Sequence, residues 1–268
     1  MNIFTKSLVS LGKIIVLVVL GWLFLKLVFA DSRLQLEIGL FVLIFITLPT
    51  IFLFFFKKKF LAKHPKFIKP WKIYRFFYIF FILVYIFFYI LGTWHLNEVA
   101  KTKKAVDFIN SEKITLDDVM GKNLPPIPDQ KLNNSTISGI DANKNGIRDD
   151  VELAIFKNYP NSAKIRAAEL QYAQALQLEL TQVFNSETLV AVMKKQSRGI
   201  DCIGKTGPED VSIKGLEIIN GRKKEVEDLI LNTNLRKNTE LDNLNKYMVG
   251  YSSSSGNDCD IELSSLPN

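Results

Sequence analysis

Three long apolar runs stand in the first 95 residues, at about 8–30, 34–56 and 73–94, and no other feature constrains the fold as much. Each comes close to the ~20 residues with which a helix crosses about 30 Å of hydrocarbon. The second has no charge between Gly39 and Phe56, and the third has only Arg75, near its start. The first holds Lys13 and Lys26 near its ends, where a lysine stem reaches the headgroups. Three such runs in succession favour membrane spans over buried helices of a globular core. The expected fold class is a membrane protein with three transmembrane α-helices, followed by a mostly α-helical extracytoplasmic domain.

Charge divides the chain at the same place. Residues 1–95 carry 12 Lys and Arg against two acids, Asp31 and Glu37. Of the totals of 34 and 27, that leaves 22 basic and 25 acidic residues for 96–268. The basic pI therefore belongs to the N-terminal third, where the cations flank apolar runs, and nucleic acid is not an expected partner. The loop 57–73 contains Lys57, Lys58, Lys59, Lys63, Lys66, Lys69 and Lys72. The positive-inside rule puts it in the cytoplasm together with the N terminus. The expected location is a bacterial inner membrane, crossed three times, with the bilayer as a partner and residues 96–268 periplasmic or otherwise extracytoplasmic. The first run also has signal-peptide features, with Lys6 before it and Val28, Phe29 and Ala30 at its end. Lys26, so close to such a cut, favours an uncleaved span. Tyr74, Tyr78, Tyr85 and Tyr89 share one face of the third run, as helix packing and interfacial anchoring would require.

The anchor, 1–95, is followed by a juxtamembrane helix and Pro-rich link, 96–128, and then by an outer helical domain, 129–268. Within the link, Thr115 and Asp118 have capping-box spacing, and Gly121 stops the short helix they begin. Pro125, Pro126 and Pro128 stiffen the approach to the outer domain. The segment 131–140, rich in Asn, Ser and Thr, reads as a loop. After Pro160, the residues Ile165, Tyr172, Leu176, Leu180 and Val183 mark one face of a long helix. A second helix is expected over about 187–195, and a third from Pro208 with a break at Asn220 and Gly221. A last helix reaches about Val249. Cys202 and Cys259 are the only cysteines, and the expectation is that they pair. The bond would tie the tail to the helix before it and be worth about 2–4 kcal/mol.

The strongest chemical signal is at 141–152, where the order of residues matches D-x-[DN]-x-[DN]-G-x₅-E without a mismatch. Calcium takes six to eight oxygens, and a loop of this length supplies them in sequence. Asp141, Asn143 and Asn145 offer side-chain oxygens, Ile147 its backbone carbonyl, Asp149 a carboxylate, and Glu152 closes the site. Gly146 permits the sharp turn. This form resembles the solitary EF-hand-like calcium loops of thrombospondin-type repeats and of uncharacterised bacterial envelope proteins. It departs from paired EF-hands, since Arg148 occupies a usually apolar position and no second loop exists. Two neutral amides among the ligands imply weak binding, about 10⁻⁴–10⁻³ M, and a structural ion.

Other motifs carry less. Residues 199–206 fit the phosphate-loop pattern G-x₄-G-K-[ST]. A polar stretch, 194–198, stands where the preceding strand should be, and Gly207 and Pro208 interrupt the helix that should come next, so nucleotide is not expected. His64 and His95 sit far from any candidate nucleophile. No residue is assigned a catalytic role. The expected function is a non-catalytic, calcium-stabilised interaction domain that contacts an unidentified envelope protein. An accessory or protective subunit of a transport or secretion system, acting through its spans, is the alternative. An envelope hydrolase with an unrecognised site is the third.

Overall fold

The computed structural model describes residues 62, 68–208, 213–250 and 259–267; within 68–90 the side chains of Ile79, Leu83, Ile86, Phe87 and Ile90 alone are described. The chain forms two compact units, Met1–Ala100 and Lys101–Asn268. Among the described residues there are eight α-helices and no strand. They are α1 (Ile68–Ser111), α2 (Leu116–Met120), α3 (Gln130–Ser135) and α4 (Asp149–Asn158). Then come α5 (Ala163–Gln182), α6 (Ser186–Lys205), α7 (Ile213–Ile230) and α8 (Asn234–Tyr247). A 3₁₀ turn, Leu263–Ser265, ends the described chain.

The membrane reading needs correction. Among the described residues no helix is long and apolar enough to cross a membrane. The first two apolar runs, 8–30 and 34–56, lie outside the described residues, as do the side chains of Tyr74, Tyr78, Tyr85 and Tyr89. The third run, 73–94, is not a separate span of bilayer length. It is part of α1, a single helix of 44 residues, about 66 Å long at 1.5 Å per residue. Its second half carries Glu98, Lys101, Lys103, Lys104 and Asp107. Run length alone thus does not define the element. The inner-membrane location, the cytoplasmic loop 57–73 and the extracytoplasmic placement of 96–268 rested on the three spans and fall with them.

In the second unit the helix ends follow from local chemistry. Thr115 and Asp118 form a reciprocal capping box at α2, with Asp118 Oδ2 accepting from the Thr115 N–H at 2.8 Å. Gly121 closes α2 in the left-handed region, φ 70°. Asp129 caps α3 by accepting from the Leu132 N–H at 2.9 Å. That cap corrects the expectation of an entirely irregular 131–140, because it nucleates a short helix over Gln130–Ser135. Asn185 and Thr188 form a second capping box at α6, and Thr233 caps α8.

The core is built around α5. Leu170, Tyr172, Ala173 and Leu176 meet Val151 and Ile155 of α4, Cys202 and Ile203 of α6, and Val226 and Ile230 of α7 in one buried cluster. A smaller cluster joins Ile109 of α1 to Leu178 of α5 and to Ala191 and Val192 of α6. The tail returns to this core. Cys202 and Cys259 form a disulfide, Cα–Cα 5.0 Å, and Leu266 is buried beyond it.

Two expected helix ends shift. Helix α6 continues past Lys195 to Lys205, through Gly199. A Cβ at 199 would lie 2.9 Å from the Tyr172 Cα, so the missing side chain lets α6 lie directly against α5. Helix α7 passes unbroken through Asn220 and Gly221, and the break falls instead between Ile230 and Asn234. Gly199→Val should therefore force the two helices apart and destabilise the fold by about 1–3 kcal/mol. Thermal unfolding should show a drop of about 2–4 °C per kcal/mol. Gly204→Ala, where an added Cβ meets nothing within 4 Å, should leave the melting temperature unchanged or raise it.

Candidate metal centre

The loop 141–152 is folded by its own side chains. Asp141 accepts two backbone N–H groups, from Asn145 at 3.2 Å and Gly146 at 3.0 Å. Asn145 Oδ1 accepts from the Ile147 N–H at 2.9 Å. Asp149 Oδ1 reaches back to the Ala142 N–H at 2.9 Å. Lys144, φ 60°, and Gly146, φ 80°, supply the left-handed turns. A Cβ at Gly146 would also press towards Glu112 Oε2, 3.4 Å away, and the Gln174 side chain. The loop then enters α4, whose first turn holds Asp149, Asp150 and Glu152 at the positive end of the helix.

Each expected ligand residue is in this one loop, but the carboxylates do not form a ready-made cluster. Among the described residues no group of three or more His, Cys, Asp or Glu could hold a metal ion. The described residues thus show no metal-binding group to match the calcium loop expected at Asp141, Asn143, Asn145, Ile147, Asp149 and Glu152. The physical reason is visible in the bonding: both oxygens of Asp141 and one of Asp149 are turned to backbone donors, which spreads the acids along the loop.

What the loop does hold is a set of buried oxygens without donors. Asn143 Oδ1, Asp149 Oδ2 and Glu152 Oε1 are buried and have no hydrogen-bond partner, and the same holds for the Asn145 amide nitrogen. The oxygens come from loop positions 3, 9 and 12. Asn143 ties two of these positions together, since its amide donates to Glu152 Oε2 at 2.9 Å. A buried acceptor without a donor costs about 1–3 kcal/mol, and more when charged. Burial pushes the Glu152 carboxyl up to about 7, against the lowering effect of the Asn143 and Asn145 amides. Burial likewise raises Asp149, with a smaller contribution from Asp141 and Asp150. Hard oxygen donors are the kind of ligand that calcium takes.

The surroundings of the loop could not be read from spacing. Asn143 also donates to the Asn123 carbonyl at 2.9 Å. Gln174 of α5 donates to the Asn145 carbonyl at 2.9 Å, and Gln177 to the Ser138 carbonyl at 2.9 Å. Arg148 is fully buried and donates to Leu229 O and Ile230 O at the end of α7. The glutamines at 171, 174 and 177, spaced three apart along α5, are a faint signal. The stretch 199–206 is mostly α6, with its N–H groups engaged in the helix rather than forming a loop.

No protein-family model matches the chain, and no curated protein or solved structure matches it.

Two further carboxylates are buried on α5. Glu169 pairs with Arg222 at 2.8 Å, yet burial pushes it up to about 7 despite that guanidinium. Glu179 accepts from Gln196 at 2.5 Å and has no cationic partner among the described residues; burial pushes it to about 7, reinforced by Glu240. A carboxyl whose folded pKa is raised binds its proton more tightly in the native state. Its contribution is therefore favourable below the unfolded pKa and is lost as pH rises through about 7. Glu179→Gln should raise the melting temperature at pH 8, and the gain should shrink towards pH 5. Thermal unfolding across that range checks the sign.

Proposed function

We propose that this chain is a non-catalytic helical interaction protein whose second unit is steadied by one calcium ion in the loop 141–152. The ligands are Asp141, Asn143, Asn145, Asp149 and Glu152 through their side chains and Ile147 through its carbonyl. The observation that carries this reading is the group of buried, donor-free oxygens on Asn143, Asp149 and Glu152. Proteins rarely leave such atoms unpaired, and a cation would satisfy three of them on one loop. The ion would neutralise carboxylates that burial otherwise pushes towards protonation. It would thereby fix the loop that starts α4. The resemblance to solitary calcium loops supports the same reading, and the role is structural because the loop is bonded into α5 rather than open to a substrate. The partner is proposed to be another protein.

Calorimetric titration of the full chain should show saturable binding of one calcium with a dissociation constant of about 10⁻⁴–10⁻³ M. Asp141→Ala and Glu152→Ala should each abolish it, and calcium should raise the melting temperature of the unaltered protein only. Absence of heat and of any thermal shift at millimolar calcium would sink the reading and leave the loop a turn.

A further inference from the structure

Helix α8 is attached in an unusual way. Its only buried residues are Arg236 and Asn243. Its apolar residues Leu235 and Leu241 are exposed, and Leu244 and Tyr247 are half-buried. Polar contacts therefore add to a partial apolar contact in docking α8. Asn243 contributes one bond, to the Glu179 carbonyl at 3.0 Å. Arg236 contributes several. Its guanidinium donates to the carbonyls of Asn133 at 2.6 Å, Thr136 at 3.0 Å and Ile137 at 3.1 Å. It also reaches Asn232 Oδ1 at 2.5 Å and Asn134 Oδ1 at 3.4 Å.

The carbonyls that Arg236 grips belong to the segment that leads into the loop. Asn133 Oδ1 accepts from the Ile140 N–H at 2.9 Å, and the Ile140 carbonyl accepts from the Asp149 N–H at 2.9 Å. A second arginine joins the loop to α7. Arg148 donates to Ile230 O at 3.1 Å and Leu229 O at 2.6 Å, and it pairs with Asp150 at 2.5 Å. It thus satisfies carbonyls that the end of a helix leaves unpaired. Gly139, φ 67°, makes room for this contact, since a Cβ there would collide with Arg148 Cδ.

Arg148 lies between Ile147 and Asp149, two of the proposed ligands. An ion that holds the carbonyl on one side and the carboxylate on the other fixes the Arg148 backbone between them. We propose that calcium in the loop 141–152 controls the docking of the α7 C-terminus and of α8, through Arg148 and through the 133–140 segment that Arg236 holds. The proposal rests on the calcium reading above and adds to it a direction of transmission. Linkage makes the effect reciprocal: loosening α8 weakens the ion, and binding the ion tightens α8.

Hydrogen exchange read by mass spectrometry tests this on the full chain, in millimolar calcium or in chelator, with magnesium present in both. In the unaltered protein calcium should slow exchange in 141–152 and also in 229–247, by about tenfold, an ordinary size for coupling between sites. In Arg148→Met calcium should still protect the loop, while the response should be lost at 229–230 and kept in 234–247. In Arg236→Met the response should be lost in 234–247 and kept at 229–230, which serves if the first variant does not fold. Protection of the loop with 229–247 unchanged, or exchanging faster, would overturn the coupling and leave the ion site standing. Protection nowhere would overturn both.

Discussion

Nearly complete burial of α5 is the constraint on which the rest of the unit depends. All but four of its twenty residues are buried, including Arg166, Glu169, Gln171, Gln174, Gln177 and Glu179. A helix hidden on every side gains by partnering such groups, since each unpaired one costs about as much as several good contacts gain. Each polar side chain therefore specifies a neighbour. Arg166 takes the carbonyls of Val119, Tyr159 and Pro160. Glu169 takes Arg222, and Gln171 accepts from the Asp260 N–H at 2.7 Å. Gln174 and Gln177 hold the calcium-type loop and the segment before it. Apolar packing brings the elements together, and these bonds decide where each one stops.

The same feature explains what is legible in the sequence. The apolar stripe of α5 is visible there, because Tyr172, Leu176 and Leu180 recur with helical spacing. Its other faces are not, because buried glutamines look like solvated ones until their partners are known. Local signals with short reach translate well: the Thr115–Asp118 cap and the Gly121 stop depend on neighbours within a few positions. The end of α6 is hidden because the role of Gly199, close approach to Tyr172, depends on a residue of another helix. The length of α1 is hidden for the opposite reason. Its apolar run ends where hydrophobicity ends, but the helix continues through a charged half to Ser111.

At the loop, the proposed ligands are named from residue type and order, whereas the residues that bond the loop into the fold are not. Asn123, Gln174 and the carbonyls of Leu229 and Ile230 lie 20 to 82 positions from the residues they bond. Arg148 is the instructive position. In the sequence it is a departure from the usual apolar residue of paired loops. In the fold it is fully buried and contacts a helix end, where a paired loop would have placed a neighbouring loop. A solitary loop thus acquires its support from the surrounding helices rather than from a twin.

The disulfide sets a topological limit on all of this. Cys202 and Cys259 stand 57 positions apart, and α7 and α8 lie between them. Beyond Cys259 the tail is fastened again by the Arg198–Asp260 ion pair at 2.7 Å and by buried Leu266. The α7–α8 excursion is consequently a closed ring of chain with both roots at one spot on α6. Helix α8 can lift away from the body without freeing the C terminus. A protease that cuts inside the ring produces a nicked but still covalently continuous molecule, which separates into two pieces only after reduction.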